Sequence, residues 1–295
     1  MTLRFFLILL SALGLFACSA TKKTLPPAIT ADQAFLQHDY ALARSLYEQQ
    51  IAGIENSGIA DTSLLYEKAA TACLMTGDST KAESYYKLAV YHRQTTPRSF
   101  AYLAELARRS DNLSRELMAL EGLAQQHPGA PETIMVLPRL FNLYASTAQY
   151  EAAANTWTAM NESQKDATLL AQWLKVARQL GRDNDCDSAA EALLLTNPNQ
   201  VEALSWKAIR LYDKGEARYQ QEVADYEKQK THARYAKMLK GLEQATADFK
   251  AALPLFEKAY NLSPDGRTAR YIYNIYARFG DEANAARYKR LSDIQ

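Results

Sequence analysis

The sequence is short of the residues that mark most catalytic, metal-binding or low-complexity proteins. Its 295 residues include three cysteines and four histidines, and no histidine has a second histidine or a cysteine at metal-ligand spacing. Eleven glycines and nine prolines are too few for a low-complexity chain and suit the punctuation of short helices. Neither charge dominates, with 34 Lys plus Arg against 33 Asp plus Glu, so we expect no nucleic-acid partner.

Catalytic motifs are also missing from the sequence. It has no G-x-S-x-G elbow, no glycine-rich phosphate loop and no paired-cysteine motif. The run Asp183-Asn-Asp-Cys-Asp187 has the start of a calcium loop but lacks its glycine and distal glutamate. We interpret it as the start of a helix, where Asp and Asn serve as caps. The sequence therefore predicts a protein that is not an enzyme, with no catalytic residue, no metal and no cofactor.

The first residues predict export. An apolar run of thirteen residues, from Phe5 to Ala17, follows the basic Arg4 and is too short to span a bilayer. The next residue is a cysteine, and Leu15-Phe-Ala-Cys18 resembles the bacterial lipobox. This resemblance implies a signal peptide over residues 1–17 and a lipidated Cys18. Ser19, in place of an aspartate, resembles signals for the outer membrane, so the expected location is its periplasm-facing leaflet. The alternative is an ordinary signal peptide followed by a chance cysteine.

Residues 18–28 form the predicted tether between this anchor and the folded part of the chain. They contain Pro26 and Pro27 and no apolar pattern. A polyproline-like segment rises ~3 Å per residue, so the first helix would lie within about 30 Å of the membrane.

A repeated pattern fills the rest of the chain. A small residue is followed four positions later by a bulky one, at intervals of 39, 34, 37, 33 and then 66 residues. The pairs are Ala43/Tyr47, Ala82/Tyr86, Glu116/Leu120, Ala153/Trp157, Cys186/Ala190, Ala252/Phe256 and Ala285/Lys289. An amphipathic helix with apolar residues at i, i+3, i+4 and i+7 precedes each pair, often with a glycine between. The pattern predicts a series of helical hairpins, and the rival interpretation is a helical bundle with coincidental spacing.

This pattern resembles the tetratricopeptide repeat. The matching features are the Gly77-Asp78 and Gly181-Arg182 turns, the central alanine and the closing prolines, which include Pro128 and Pro198. The resemblance implies an all-α, right-handed superhelical solenoid of about six helix-turn-helix repeats, of the type found in lipoproteins of Bacteroidetes. The regular array covers 29–200, an extended hairpin covers 201–264, and a partial capping repeat covers 265–295.

Three positions depart from the repeat. Glu116 stands where a small residue belongs, while Lys289 and Ser292 replace apolar packing positions in the last unit, as suits a polar cap. The 66-residue interval predicts one hairpin with two lengthened helices and a tip between Lys228 and Ala233. Pro254 is expected to kink its returning helix.

The resemblance also implies a function, which is binding of a protein or peptide by a non-enzymatic scaffold. In this family the ligand usually lies along a concave face lined by the first helix of each repeat. Carried over by alignment, the groove positions are Arg108, Arg109, Asn142, Lys175, Arg178, Gln179, Arg270, Asn274 and Arg278. The competing interpretation is that the arginines only complement helix dipoles. Alternative functions are an accessory lipoprotein of outer-membrane β-barrel assembly and a component of a glycan-uptake complex.

Overall fold

The computed structural model describes residues 29–57 and 64–293, and all of the regular structure in these two ranges is helical. Fourteen α-helices and one short 3-10 helix occur there, without a β-strand. The chain divides into two compact units, Met1–Ala89 and Val90–Gln295. The predicted all-α architecture of consecutive hairpins is confirmed within each unit. The signal peptide, Cys18 and the tether lie outside the described residues.

The first unit contains two hairpins. Its helices are α1 (Ala31–Leu36), α2 (Tyr40–Ser57), α3 (Leu65–Met75) and most of α4 (Ser79–Tyr91). Both predicted anchor pairs are buried in it, and Tyr47 donates a hydrogen bond of 2.6 Å to Asp32 Oδ1. The small residue of each pair lets two helices approach, and the aromatic ring fills the space between hairpins.

The second unit contains five hairpins. Its helices are α5 (Pro97–Arg109), α6 (Leu113–Gln126), α7 (Pro131–Ser146), α8 (Tyr150–Ala159), α9 (Ala167–Gln179), α10 (Asp183–Thr196), α11 (Val201–Lys228), α12 (His232–Leu262), α13 (Gly266–Phe279) and α14 (Glu282–Ser292), with the 3-10 helix at Glu162–Gln164. Helices α6, α10 and α12 each end two residues before a proline, as predicted, because proline cannot continue the hydrogen-bond ladder.

Six of the turns described within these hairpins share one geometry. In each, a residue with positive φ follows the first helix, namely His38, Gly77, Asp111, Ala148, Gly181 and Gly280. The next residue donates its N–H to a carbonyl five positions earlier, as from Asp78 to Cys73 at 2.9 Å and from Arg182 to Ala177 at 2.9 Å. This is the Schellman arrangement, which satisfies carbonyls left free at a helix end. The repeat is therefore visible in the backbone even where glycine is absent.

The predicted packing positions are buried along the whole series. All seven small-slot residues are buried, and so are the first six bulky partners. The last unit differs, because Lys289 is exposed and Tyr288 fills the space beside it. Ser292 is buried too, and its hydroxyl donates to the Lys289 carbonyl at 2.7 Å. The last hairpin therefore exposes a polar side chain at Lys289, as predicted, whereas Ser292 is shielded from solvent.

Glu116 occupies its small-residue slot as a buried carboxylate. Its side chain is only 3% exposed and accepts two hydrogen bonds of 2.7 Å from Arg139, which lies on α7 of the next hairpin. A bidentate arginine is the strongest partner available for a buried carboxylate. Glu116 in turn raises the pKa of Arg139. The departure from the repeat is therefore compensated by one cation across the hairpin joint.

The long hairpin has a continuous helix at Lys214-Gly215. Helix α11 passes through Gly215 and ends at Lys228, and α12 begins at His232, so the tip lies where it was predicted. A Cβ atom at Gly215 would lie 3.0 Å from Phe249 Cε1 and 3.1 Å from the Ala245 carbonyl oxygen. Here the glycine permits close packing of the two arms. Helix α12 also runs on through Pro254.

None of the helices in the described ranges is both long enough and apolar enough to cross a membrane.

Candidate ligand groove between alternate helices

The first helices of consecutive hairpins are neighbours in the second unit. Helix α5 contacts α7, α7 contacts α9, and α9 contacts α11. At the end of this row, α9, α11 and α13 enclose an open cavity of about 240 Å³, which we call the groove. Its lining includes Lys175, Arg178, Glu202, Trp206, Arg267 and Tyr271.

Arg178 lies on the groove wall against an indole ring. Its guanidinium carbon is 6.0 Å from the centroid of Trp206, within the range of a cation–π contact. Among the described residues it makes no ion pair. The ring itself is fixed, because Trp206 Nε1 donates a 2.7 Å hydrogen bond to Asp187. Arg178 is therefore held in place by stacking while its hydrogen-bond donors stay available.

Arg210 contacts the same indole ring but, unlike Arg178, also makes ion pairs. It lies 5.7 Å from the Trp206 ring and pairs with Asp183 at 2.7 Å and with Asp187 at 3.5 Å. The sequence predicted that the aspartates of this run cap helix α10, and this prediction is wrong for Asp183 and Asp187. Helix α10 is capped at Arg182 without a side-chain bond, and the aspartates bind α11 instead.

Asp213, a carboxylate without an ion-pair partner in the described structure, lies near Arg178. Partial desolvation raises the pKa of Asp213, and the nearby charges of Arg210 and Arg178 oppose this shift. Asp213 is nevertheless an exposed residue. Burial likewise raises the pKa of Tyr271, and the charge of Asp213 adds to that effect. The groove thus combines groups of both signs.

All the other charged groups of the groove lining except Arg267 contact neighbouring groups of the protein. Lys175 pairs with Glu202 at 3.2 Å, and Asp265 caps α13 by accepting a 2.9 Å hydrogen bond from the Thr268 N–H. Arg267 is exposed and makes no ion pair within the described structure. The charged lining residues that make no ion pair in the described structure are therefore Arg178 and Arg267, and Asp213 lies near Arg178 outside the lining.

Of the nine groove positions taken from the alignment, the structure places Lys175 and Arg178 in the lining of this cavity. Arg270 is exposed elsewhere on α13, and Asn274 donates to the Tyr212 hydroxyl at 3.3 Å. Arg278 pairs with Glu216 and lies 4.9 Å from the Phe249 ring, so it joins α13 to the long hairpin.

The remaining four candidates lie outside the groove lining. Arg108 and Arg109 both bond Glu105, at 2.5 Å and 2.9 Å, in the last turn of α5. Asn142 is half-buried on α7, and Gln179 is exposed at the end of α9. A binding role for any of the nine stays a prediction.

Arg267 and Tyr271 line the groove but were not among the sequence candidates. Arg267 lies one turn before the predicted Arg270, and the alignment could not tell which turn of α13 faces the groove. Asp213 was not a candidate either; it lies outside the lining, near Arg178 and Tyr271.

Two other cavities in the described structure are larger than the groove. One of about 550 Å³ lies among α6, α7 and α8 and is lined mainly by apolar residues, and one of about 370 Å³ lies between α9 and α10. Neither lining contains two charged side chains, so the groove offers the more specific recognition. In the part of the chain that the structure describes, no group of three or more His, Cys, Asp or Glu residues is placed to hold a metal ion.

No family model and no curated protein matches the chain. Among solved structures it is similar to the C-terminal part of a TPR repeat-containing protein from Cytophaga hutchinsonii, at 12% identity over 89% of this chain and 92% of that one, with a TM-score of 0.42. It is also similar to a putative protein binding protein from Bacteroides ovatus, at 16% identity over 74% and 97%, with a TM-score of 0.48. A tetratricopeptide repeat protein from Parabacteroides merdae is 17% identical over 65% and 77%, with a TM-score of 0.39.

Because all three TM-scores are below 0.5, the assignment of the repeat depends on the hairpins, turns and buried positions described above.

Proposed function

We propose that the chain is a non-enzymatic interaction scaffold that binds a segment of a protein in the groove between α9, α11 and α13. The observation that carries this proposal is an arginine in the groove lining and a carboxylate near it, neither of which makes an ion pair in the described structure. Arg178 is stacked on Trp206 without an ion-pair partner, and the Asp213 carboxylate beside it has none either. A partner segment with an acidic and a basic side chain would satisfy both groups by charge-assisted hydrogen bonds.

The groove suits binding rather than covalent chemistry. No histidine or cysteine lines the cavity, and Tyr271, whose pKa is raised by burial, is a neutral hydroxyl at neutral pH. The apolar surface of Trp206 and Tyr271 supplies area to bury, while the charges supply orientation.

Glycan uptake finds no support in the tryptophans of this chain. Trp157 and Trp173 stack on each other at 5.2 Å with their planes 4° apart inside the core. Trp206 is also buried. A carbohydrate platform needs exposed aromatic rings, so we favour a protein ligand.

The test is a capture experiment in cells with a photo-crosslinking residue at Ser205, which lines the groove. Arg178→Gln combined with Arg267→Gln should abolish the crosslinked protein, because both free cations are lost. The matched control is Arg108→Gln with Arg109→Gln, which removes the same charge from the end of α5. Equal capture by both variants would overturn the groove proposal.

We further propose that the scaffold is lipidated at Cys18 and held at the periplasm-facing leaflet of a bacterial outer membrane. The support is the apolar run and the lipobox-like residues that precede this cysteine. Cys18→Ala should move the protein from the membrane fraction to the soluble fraction, as followed by fractionation and blotting. Retention of the variant in the membrane would contradict lipidation.

A further inference from the structure

Positive charge is concentrated at the end of the long hairpin. From Lys228 to Lys240, a segment that we call the tip, the chain has five lysines and arginines and no Asp or Glu. The whole chain has a formal charge of only +1. The tip is therefore much more basic than the surface around it.

Most of these cations are free to act on something outside the chain. Lys230 pairs with Glu227 at 2.7 Å, whereas Lys228, Arg234, Lys237 and Lys240 make no ion pair within the described structure. Lys228, Lys237 and Lys240 are exposed. The charges of the tip also act on Asp225. The pKa of this carboxyl is lowered first by a hydrogen bond from Gln221 and then by the charges of Lys228, Arg234 and Lys237.

The end of the long hairpin also carries an aromatic pair. The turn between α11 and α12 is closed by a 3.2 Å hydrogen bond from the Arg234 N–H to the Thr231 hydroxyl, which caps α12. Tyr226 and Tyr235 meet across the two arms, with ring centroids 5.6 Å apart. Tyr235 is nevertheless 44% exposed. A tyrosine with one apolar and one wet side is typical of a membrane–water interface.

We propose that the tip binds end-on to the surface of an anionic phospholipid bilayer. Its cations surround both helix ends, and Lys240 lies only about 12 Å from the start of α12 at the usual helical rise. A plane of lipid phosphates can attract all of them at once, within about one Debye length and the reach of a lysine. An acidic protein would have to reach around the end of the hairpin to contact the same cations. This inference is independent of the groove.

The experiment uses the full chain carrying Cys18→Ser and Gln229→Cys, with an environment-sensitive fluorophore on the new cysteine. Cys73 and Cys186 are buried, so the label reports the tip alone. Vesicles of phosphatidylcholine with phosphatidylglycerol should shift the emission to the blue, and vesicles of phosphatidylcholine alone should not. The vesicle concentration needed for half of this shift should rise with salt.

Lys228→Gln with Lys237→Gln and Lys240→Gln removes three tip charges without changing helix propensity strongly. At roughly fivefold per cation, the half-shift concentration should rise on the order of a hundredfold. The matched control is Lys250→Gln with Lys289→Gln and Arg290→Gln, which removes three exposed cations elsewhere and should change it little.

Three outcomes would overturn the proposal. They are no shift with anionic vesicles, an equal shift with neutral vesicles, and equal weakening in the tip variant and its control. A shift caused by soluble polyglutamate but not by anionic vesicles would also overturn it, and would indicate an acidic protein instead.

Discussion

The short hairpin of α9 and α10 and the long hairpin of α11 and α12 begin alike and then diverge. Both first helices bury a tryptophan, and both hairpins place a small buried residue, Cys186 or Ala252, in the same repeat slot. Yet α9 has 13 residues and ends at Gln179, whereas α11 has 28 residues and ends at Lys228. The common repeat therefore fixes how the base of a hairpin packs but not how far its arms extend.

Two glycines at corresponding positions show the cause. Gly181 has a φ of +65° and open space where a Cβ would be, so it serves the backbone turn. Gly215 lies within α11 and faces Phe249 at contact distance, so it serves packing between the arms. Glu216-Ala217-Arg218 follows it, and these residues favour helix. The role of such a glycine is thus decided by the residues that follow it and by the opposite arm.

The largest expected effect on this comparison comes from Phe249→Ala. Phe249 is buried, packs 5.4 Å from the Tyr212 ring and fills the space left by Gly215. Truncation of a buried phenylalanine costs about 3–5 kcal/mol. Hydrogen exchange of α11 and α12 should accelerate strongly. The control is Tyr235→Ala on the exposed part of the same helix, and an equal response of the two variants would show that the arms are not held at Phe249.

Leucine at the two glycines should destabilise by different mechanisms. Gly215→Leu overpacks the arms, at a cost of about 1–3 kcal/mol. Gly181→Leu puts a branched side chain in a left-handed turn, at a cost of about 1–2 kcal/mol. Combination with Phe249→Ala should relieve the first cost and leave the second unchanged, as a double-mutant cycle of unfolding free energies would measure. Additive behaviour at both sites would refute the distinction.

Arg278→Met tests the link between the long hairpin and α13. It removes the ion pair with Glu216 and the contacts with Tyr219 and Phe249, which lie 4.7 Å and 4.9 Å from the guanidinium carbon. The pair is partly exposed, so we expect a loss of about 1 kcal/mol. Denaturant unfolding should show this loss at low salt. Arg270→Met, from an exposed position on the same helix, serves as the control and should be near neutral.

The smallest effect concerns the slot shared by Cys186 and Ala252. Burial raises the pKa of the Cys186 thiol from its ordinary 9.0 to about 11. Because the folded chain holds this proton more tightly, its contribution to stability is complete below pH 9 and is lost as the pH rises towards 11. Cys186→Ala should therefore flatten the fall in unfolding free energy between pH 9 and pH 10. An unchanged slope would contradict a perturbed thiol.

Much of the fold could be predicted because helix periodicity and close packing are written in local sequence. The small-slot residues, the closing prolines and the tip near Lys228 all follow from spacing. The turns at Asp111 and Ala148 could not be recognised from glycine, since both adopt positive φ without it. Neither could the burial of Ser292, because a hydroxyl that bonds its own helix is no longer a polar group to be solvated.

The site was harder to predict because its selectivity depends on partners distant in sequence. Arg178 and Arg278 look equivalent at the ends of two first helices. The structure leaves Arg178 without an ion pair in the described residues but engages Arg278 with Glu216, 62 residues away. Which charges remain for a ligand is decided by such long-range pairing.

The ion pair between Glu116 and Arg139 limits how this array can change by recombination. In most helical arrays a hairpin can be duplicated, removed or exchanged, because each joint presents the same apolar surface to the next. At this joint a buried carboxylate requires an arginine supplied by the following hairpin. Exchange of the α7–α8 hairpin for one without this arginine would leave the Glu116 carboxylate buried without its partner, which is strongly destabilising. A hairpin that follows α6 must therefore supply a cation at the position of Arg139.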